Sequence, residues 1–519
     1  MGMLVTLCLA LSLLRSSLAE EVLETSVVII GGGAAGLAAA RTLAQQDVEF
    51  LLVEAQAVLG GRVQSLALTE TEYWNVGAQW IYGTETTTDP PEVNPILELA
   101  IAANSSNVAL SAMDWSNMTL RGYNGTTLDS VSLGEWYDRM ELAQAYCQEQ
   151  NDELWTQAEN ITEYAESIDI TLDTCWEDSG FLPANASEED EEVAAALRWY
   201  AVDFDYTLDP SRLGVMWSLP RAGEYTGWDI QVVGSYQNVL LEVGRHLPTG
   251  SVRTGQTVTT ISYDNTGVTV RTQQGLVIHA KAAICTLPLG VLQREVVEFE
   301  PPLSVARTSA INKMVMGNYA KVLAVFDSTF WDPTEVTLFT GNTTSPLRLM
   351  VNRDHPSMYP GSKSLEFHFA GETARIIESL PVGELQEGLM AELEDFFGES
   401  LPSPHTIAVT NWTHNPYAYG SFSTWPFGFL ESEWLEMISN LDSVVFFAGE
   451  HTVENFGSVQ GAWQSGITVV TNEVLPALQK HDTTQQAASV VSAASVPPRV
   501  LPVIILLALH TRLACRSFN

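Results

Sequence analysis

The sequence predicts an α/β fold with two parts: a Rossmann-like domain that is discontinuous along the chain, and a second domain of α+β type. The first observation is a strand, a glycine turn, a helix and a second strand between Ser26 and Arg62. The second is an alternation of apolar and polar residues from Ser251 to Gly290, typical of a β-meander. The third is an apolar strand ending in glycine within 443–452. Segments of different composition separate these stretches, so the chain is expected to leave and re-enter the Rossmann-like domain.

The glycine turn after the first strand is typical of a dinucleotide-binding site. Gly31, Gly33 and Gly36 fit the pattern G-x-G-x-x-G and follow four apolar residues. Gly31 permits the tight turn, Gly33 lets the backbone approach a pyrophosphate, and Gly36 allows the helix to pack on the strand. Ala35 lies in the first turn of that helix, whose N-terminus offers unpaired N–H groups to phosphate.

Two further features strengthen this interpretation. Glu54 ends the second apolar run, where an acid can accept hydrogen bonds from both hydroxyls of an adenosine ribose. An ordinary βα unit is the alternative, and the acid at this distance argues against it. Gly60, Gly61 and Arg62 then place a guanidinium, which suits bidentate phosphate contact, after a second close-approach turn.

The composition sets limits on the partners. The chain has 519 residues, of which 46% are hydrophobic and 17% charged, so it is globular and long enough for more than one domain. With 63 acidic and 24 basic residues its formal net charge is −39, which argues against nucleic acid as a partner. Such a field attracts cations, including polycationic small molecules, although solubility alone would also account for it.

Both ends of the chain have compositions that bear on targeting. Residues 1–19 resemble a secretory signal peptide with small residues at Ser17 and Ala19. Residues 481–519 form a polar linker and an apolar tail, either a lipid-anchor signal or a disordered secreted tail. Membrane association is expected only in the first case. Seven N-x-S/T sequons support secretion, with asparagines at Asn104, Asn117, Asn124, Asn160, Asn185, Asn342 and Asn411.

The cysteines fit an oxidising compartment. Cys147 and Cys175 lie in one polar helical region and are predicted to form a disulfide. Cys285 lies in an apolar run and is predicted to be a buried free thiol. No CxxC pair or Cys/His cluster in the sequence indicates a metal site, so none is expected.

The chain resembles the flavin-dependent amine oxidases of the polyamine oxidase branch over roughly Val27 to Leu478. The resemblance is carried by several motifs in a fixed order: IIGGGAAGL, EA and GGR, GAQWIYG, TLPLGVL, MGNYAKV, GSFSTWPFG, FAGEHT and VQGAWQSG. It implies FAD as cofactor, an amine as substrate and O2 as the electron acceptor. Monoamine oxidases attach flavin through a cysteine near the GSFS-like segment, and residues 415–425 contain none, so non-covalent FAD is predicted.

Composition and periodicity divide the chain into seven segments, none of which repeats another, and the resemblance assigns their domains. The predicted divisions are residues 1–19 (signal peptide), 25–90, 232–320 and 440–480 (three parts of the FAD-binding domain), 91–231 (mainly helical substrate-domain segment), 321–439 (substrate-domain sheet and helices) and 481–519 (linker and tail).

It also implies residue roles at the cofactor. Glu450 would contact the ribityl chain of FAD, and the backbone of Val258 would meet the adenine, although Val258 also reads as a core valine. Arg62 is assigned to the FAD region. The remaining positions run beside the flavin, and they are Gly77, Ala78, Trp80, Trp412 and Val459.

Lys321 is the first catalytic candidate. It begins an apolar strand, where a lysine is unusual, and the family's lysine holds a water against flavin N5. A strand-end lysine that snorkels to solvent is the alternative. Tyr82 stands where many polyamine oxidases carry a histidine or an acid, so it can hydrogen-bond an amine but supplies no charge.

The remaining candidates concern the substrate amine. Phe422 and Trp412 match aromatic positions beside it. The usual second aromatic is replaced by Ser458, so Phe456 is a candidate for that wall. Asp205, with Asp203 nearby, matches a region that contributes an acid to the amine tunnel in some members, and a helix-end acid is an equal alternative.

The function that follows is oxidation of spermine, spermidine or their acetylated forms by hydride transfer to flavin. The products would be an aminoaldehyde, an amine and hydrogen peroxide. Two alternatives stay open: an L-amino-acid oxidase or other amine oxidase of the same fold, which for an amino acid needs an arginine for the substrate carboxylate, and a flavin-fold binding protein without turnover.

Overall fold

A computed structural model describes residues 21–86, 91–103, 108–112, 118–128, 130–158, 168–219, 225–341, 345–481 and 483. The predicted signal peptide and nearly all of the predicted linker and tail lie outside these residues. So do four sequon asparagines: Asn104, Asn117, Asn160 and Asn342. Of the others, Asn185 and Asn411 have exposed side chains.

The strands fall into two large sheets and four small ones. In chain order they are β1 (Glu21–Ile30), β2 (Phe50–Val53), β3 (Leu66–Ala67), β4 (Tyr73–Trp74), β5 (Trp80–Ile81), β6 (Glu85–Thr86), β7 (Val108–Ala112), β8 (Thr119–Arg121), β9 (Tyr225–Thr226), β10 (Ile230–Gly234), β11 (Val252–Arg253), β12 (Val258–Asp264), β13 (Gly267–Thr272), β14 (Leu276–Cys285), β15 (Glu298–Glu300), β16 (Val315–Met316), β17 (Tyr319–Val325), β18 (Val336–Phe339), β19 (Leu349–Asn352), β20 (Ser364–Ala370), β21 (Thr406–Val409), β22 (Ser423–Thr424) and β23 (Val445–Phe447).

The helices lie between and around the sheets. They are α1 (Ala34–Gln45), α2 (Pro95–Ala102), α3 (Ser130–Ala158), α4 (Leu172–Asp178), α5 (Glu188–Arg198), α6 (Phe204–Tyr206), α7 (Val215–Ser218), α8 (Tyr236–Arg245), α9 (Leu289–Gln293), α10 (Val305–Lys313), α11 (Gly371–Ser379), α12 (Val382–Phe397), α13 (Glu431–Ile438) and α14 (Val459–Val469). π-helical turns follow α5 at Trp199–Asp203 and α14 at Val470–Val474. Among the described residues, no helix combines the length and apolarity needed to cross a membrane.

The first large sheet has eight strands and combines early, middle and late parts of the chain. Its order is β11-β2-β1-β14-β13-β12-β15, with β23 beside β14. The pairings β1–β2, β1–β14 and β14–β23 are parallel, so the carboxyl ends of these four strands meet at one edge. The glycine turn after β1 lies at this edge, which is where open α/β sheets bind ligands.

The second large sheet has six strands in the order β21-β17-β20-β19-β18-β8. Strands β17 and β20 are antiparallel and buried along nearly their whole length. Lys321 lies opposite His368 in this pairing, so their side chains leave the same face of the sheet. This register places polar side chains of both strands next to each other.

Two glycines allow close packing around the turn. Gly31 has a φ of +107°, which favours glycine. A Cβ on Gly36 would lie 1.9 Å from the carbonyl oxygen of Gly31, so Gly36 lets α1 start directly against the turn. Helix α14 packs on α1 in the same way, because a Cβ on Gly466 would lie 2.1 Å from the carbonyl oxygen of Ala35.

The expected secondary structure is largely present, with differences at element ends and within 91–231. Cys147 on α3 and Cys175 on α4 form the predicted disulfide, and Cys285 is buried and free. Strands β7 to β10 were not expected in a mainly helical segment. They are short and find partners distant in sequence, so local periodicity does not predict them. Within the same segment, α5 ends at Arg198, where the π-helical turn begins.

Gly466→Ala should destabilise the protein by about 1 to 3 kcal/mol, because its Cβ overlaps the backbone of α1. Gly388→Ala is the matched control. Gly388 lies inside α12, and no atom lies within 4 Å of a Cβ placed there. Alanine should therefore raise the free energy of unfolding by up to about 1 kcal/mol through its higher helix propensity. Urea unfolding of the flavin-loaded protein measures both changes. Equal effects at the two positions would contradict the packing of α14 on α1.

Candidate active site

One cavity of about 820 Å³ contains the predicted site. It runs from the carboxyl edge of the eight-stranded sheet to β17 of the six-stranded sheet. Gly36 alone among the predicted site residues lies outside it, in α1. The others all line it: Gly31, Gly33, Ala35, Glu54, Gly61, Arg62, Gly77, Ala78, Trp80, Tyr82, Asp205, Val258, Lys321, Trp412, Phe422, Glu450 and Val459.

The nucleotide end of the cavity is held open by glycines. A Cβ on Gly61 would lie 3.1 Å from Gly33 Cα, so the two backbones approach with no side chain between them. Glu54 accepts hydrogen bonds from the backbone N–H groups of Gly32 (2.6 Å) and Gln56 (2.7 Å). These bonds orient the carboxylate at the cavity wall, although burial still raises the pKa of Glu54 above its ordinary value. This open cradle fits the adenosine and pyrophosphate of a dinucleotide.

A largely buried ion pair joins early and late parts of the chain at the cavity wall. Arg62 Nη1 lies 2.7 Å from Glu450 Oε1 and also donates to the carbonyl oxygen of Ser421 at 3.1 Å. The other carboxylate oxygen of Glu450 accepts from Ser423 N (3.2 Å), Ser423 Oγ (2.5 Å) and Gly457 N (2.9 Å). Burial alone would raise the pKa of Glu450, but Arg62 and the other donors lower it to about 2.

Lys321 is buried and fully engaged by protein oxygens. Its Nζ donates to the carbonyl oxygens of Asn75 (2.8 Å) and Gly77 (2.8 Å) and to Gln79 Oε1 (2.6 Å). Burial lowers the pKa of Lys321 to about 8, with Glu366 opposing that shift. The ammonium therefore fixes the glycine- and aromatic-rich segment over the cavity, and a water against it would have to share one of these three protons.

The aromatic candidates lie around the same end of the cavity. Trp412 Nε1 donates to the carbonyl oxygen of Val76 at 2.7 Å, which anchors the indole to the segment that Lys321 holds. Phe422 and Tyr319 stand with ring centroids 6.1 Å apart. Tyr82 keeps 38% of its surface exposed, so its phenol is accessible. Ser458 caps α14 by accepting from Gly461 N at 3.0 Å, and Phe456 lines the cavity nearby.

The structure separates the two candidate acids. Asp205 lines the cavity, whereas Asp203 lines a second cavity of about 750 Å³. Both stand where the π-helical turn passes into α6. The side chain of Asp205 has no hydrogen bond or ion pair to any residue that the structure describes. The Asp205 side chain is exposed to the open cavity, but the protein around it displaces much of its water and, with Asp229 adding to this, raises the pKa of Asp205 to about 7.

Several neighbours of the site were not predicted from the sequence. Tyr319 lies two residues before Lys321 on β17, and the period of a strand could have indicated that both face the cavity. Asp229, which acts electrostatically on Asp205, and Glu378, which fixes Trp412 N at 2.8 Å, carried no local signal. Within the described chain, no group of three or more His, Cys, Asp or Glu is placed to hold a metal ion.

The fold and the cavity indicate a dinucleotide-binding protein, and comparison with known proteins gives its family. Residues 34–472 match the model of the flavin containing amine oxidoreductases, so the chain belongs to that family and is a flavin-dependent amine oxidase with FAD as cofactor. This confirms the resemblance, the fold class and the cofactor that the sequence predicted.

Curated relatives and solved structures agree with this family. The chain is 25% identical over 498 residues to polyamine oxidase 6 of Oryza sativa subsp. japonica. This alignment covers 90% of this chain and 94% of that protein. It is 24% identical over 486 residues to polyamine oxidase 1 of Zea mays, with 89% and 92% covered. A structure of wild-type putrescine oxidase bound to putrescine has a TM-score of 0.65 at 16% identity, and covers 91% of this chain and 100% of that chain.

Glu450→Gln should cost about 3 kcal/mol of unfolding free energy at pH 7, because it leaves the partly buried Arg62 without its charged partner and removes a buried carboxylate from its donors. The folded pKa of Glu450, about 2, lies below its ordinary 4.5. The ionised Glu450 therefore contributes its full stabilisation of the fold above pH 4.5, and this contribution is lost as the pH falls towards 2.

Denaturant unfolding at pH 7 and pH 3.5 measures this difference. The gap between wild type and Glu450→Gln should narrow at the lower pH. Glu242→Gln removes an exposed partner of Arg245 and should change stability little at either pH. A gap that is the same at both values would argue against an ionised Glu450.

Proposed function

We propose that this protein is a secreted polyamine oxidase with non-covalent FAD, acting on spermine, spermidine or their acetylated forms. The observation that carries the proposal is the charge of Asp205. It lines the substrate end of the cavity, and it has no partner among the described residues. A carboxylate in this position recognises a cationic substrate.

The other charged side chains along the described cavity wall already have hydrogen-bond or ion-pair partners within the protein. Glu450 and Arg62 pair with each other, Glu54 is held by two backbone N–H groups, and Lys321 by three oxygens. An ammonium group that enters the cavity therefore meets one free acid. The faces of Phe422 and Tyr319 offer the same ammonium an electron-rich surface.

FAD supplies the two-electron acceptor that takes a hydride from the carbon next to the substrate nitrogen. The protein's part is to orient that carbon and to keep water out. Trp412, anchored through Val76, and the segment held by Lys321 close the cavity on one side. Asp205 binds a distal ammonium, and the reacting nitrogen must lose its proton because only the neutral amine has a lone pair to assist hydride loss.

The amino-acid oxidase alternative is less well supported. Such an enzyme needs a free guanidinium for the substrate carboxylate. Arg62 is the single arginine among the described cavity residues, and Glu450 occupies it. The alternative of a flavin-fold protein without turnover is left to the assay below.

Secretion rests on separate observations. The disulfide between Cys147 and Cys175 fits an oxidising compartment, and the exposed sequons at Asn185 and Asn411 fit glycosylation. The relatives do not decide this point.

Expression in eukaryotic cells should yield protein in the medium that begins at Glu20. Endoglycosidase treatment should lower its mass, and Asn185→Gln or Asn411→Gln should each remove one glycan from that shift. A chain without residues 1–19 is the control and should stay inside the cell. Retention of the full-length chain inside the cell without glycans would contradict secretion.

The function is tested by a peroxide assay on the yellow holoprotein. Spermine, spermidine and acetylated spermine should give hydrogen peroxide, while L-amino acids should not. Acid precipitation should release the flavin into solution, since residues 415–425 offer no cysteine. Peroxide from amino acids alone, or from no amine, would overturn the proposal.

Asp205→Asn sharpens the same test. It should raise KM for spermine about tenfold at pH 8, the loss of one charge-assisted hydrogen bond of about 1.5 kcal/mol. KM of the wild type should fall as the pH rises through about 7 and Asp205 ionises. Asp203→Asn is the matched control, two residues away in a different cavity, and should leave KM unchanged.

Loss of stability does not explain the expected change. The pKa of Asp205 is about 7 in the folded protein and 3.8 ordinarily. Its ionisation therefore lowers the free energy of unfolding as the pH rises above about 4, and the loss is complete above about pH 7. Asp205→Asn should therefore melt no earlier than wild type at pH 8. An unchanged KM in this variant would remove Asp205 from substrate binding.

A further inference from the structure

Three polar side chains form a path from the cavity into the six-stranded sheet. Tyr319 Oη lies 2.8 Å from His368 Nδ1, and His368 Nε2 lies 3.0 Å from Glu366 Oε1. Trp74 Nε1 donates to the other carboxylate oxygen of Glu366 at 2.6 Å. We call the first three residues the Tyr319–His368–Glu366 relay. Tyr319 belongs to the cavity wall, while His368 and Glu366 lie behind it.

The two inner residues of the relay, His368 and Glu366, are buried away from solvent. His368 and Glu366 have 0% and 1% of their surface exposed. The rings of Trp80 and Phe204 lie over His368, with centroids 5.5 and 6.1 Å from the imidazole. Tyr319 is therefore the one member through which a proton can pass to the cavity.

The partners decide which atoms carry hydrogen. Burial alone would raise the pKa of Glu366, but Lys321, His368 and Arg353 lower it to about 2, so Glu366 is a carboxylate. Burial also lowers the pKa of His368, so the imidazole rests neutral. We assign the hydrogen of the neutral ring to Nε2, because this atom lies beside the carboxylate of Glu366. The N–H at this contact points too far off the line to Oε1 for a hydrogen bond. Nδ1 then accepts from the Tyr319 hydroxyl, which leaves the lone pairs of Tyr319 Oη for the cavity.

We propose that the Tyr319–His368–Glu366 relay accepts the proton of the substrate ammonium before oxidation. The ammonium N–H bond breaks as its proton moves to Tyr319 Oη, and the hydroxyl proton of Tyr319 moves to His368 Nδ1. The imidazolium that forms faces the carboxylate of Glu366, and the substrate nitrogen gains its lone pair. After the product leaves, the proton returns by the same path to water. This inference rests on the amine oxidation proposed above.

The charges around the relay suit a transient proton. Burial keeps the resting imidazole of His368 neutral, and Lys321, which faces it across the strand pair, adds to this effect, while Arg353 acts on Glu366. From the cavity side, Asp205 and Tyr82 act on Tyr319. Burial raises the pKa of the Tyr319 hydroxyl, and Tyr82, Glu366 and Asp205 add to that rise, so Tyr319 conducts a proton without staying ionised.

Lys321 is a poorer acceptor than the relay. Its three protons are already bound to Asn75, Gly77 and Gln79, and with a pKa of about 8 it is charged at neutral pH. Asp205 is the competing acceptor, since its carboxylate is free. Substitutions distinguish the two acceptors: Tyr319→Phe removes proton transfer to the relay, and Asp205→Asn removes proton transfer to Asp205.

The test measures the rate of flavin reduction by spermine without oxygen, as a function of pH. In Tyr319→Phe the rate at pH 7 should fall about 100-fold, the usual contribution of general base catalysis. It should then rise about tenfold per pH unit towards the pKa of the amine itself, about 10. Tyr236→Phe removes another buried tyrosine hydroxyl, away from the cavity, and should retain the wild-type profile.

A weakly basic amine that is already neutral at pH 7 separates catalysis from structure. It should reduce Tyr319→Phe and wild type at similar rates, because no proton has to be removed. Glu366→Gln, which keeps the shape of the side chain, should slow the spermine reaction about tenfold and be rescued by the same amine. The absorbance of bound flavin confirms that each variant is loaded.

Three results would overturn the relay. A Tyr319→Phe profile that matches wild type shows that the proton goes elsewhere. A defect that the neutral amine does not rescue shows a structural role for Tyr319. A loss of the neutral-pH rate in Asp205→Asn and not in Tyr319→Phe assigns the proton to Asp205. Failure of the proposed function itself is seen in the wild type, as absence of reduction by any polyamine.

Discussion

The ion pair between Arg62 and Glu450 is the contact on which the site depends. The two residues are 388 positions apart, and neither charge can be buried cheaply without the other. Glu450 is satisfied by donors from Arg62, Ser423 and Gly457, so the pair draws three distant stretches of chain to one point. The glycine turn can cradle a dinucleotide because this pair closes the discontinuous domain beneath it.

Lys321 applies the same principle on the other side of the cavity. A buried ammonium needs acceptors, and the segment from Asn75 to Gln79 supplies three of them. In return the ammonium holds this segment, including Gly77, in one conformation against β17. Its positive charge also stabilises the carboxylate of Glu366, so the lysine that shapes the cavity tunes the side chains behind it.

The sequence predicted what short-range patterns and a family resemblance can carry. Gly31, Gly33 and Glu54 are close in sequence, so their arrangement follows from one βαβ unit. The relay could not be predicted, because Tyr319 and His368 meet only through the register of two antiparallel strands. The separation of Asp203 from Asp205 was hidden too, since the π-helical turn at 199–203 breaks the helical period that would relate their faces.

Tyr82 and Ser458 are the two positions where the sequence differs from the pattern that the resemblance led us to expect. Ser458 caps the helix that packs on α1, so an N-cap occupies the place of an aromatic wall. Tyr82 brings a hydroxyl to the position where the resemblance led us to expect a charge, and Asp205 is the acid of the described cavity wall that has no hydrogen bond or ion pair. A net charge of −39 draws polycations towards the whole surface, but it cannot orient them. Orientation requires an acid inside the cavity, and in the function that we propose this acid is Asp205.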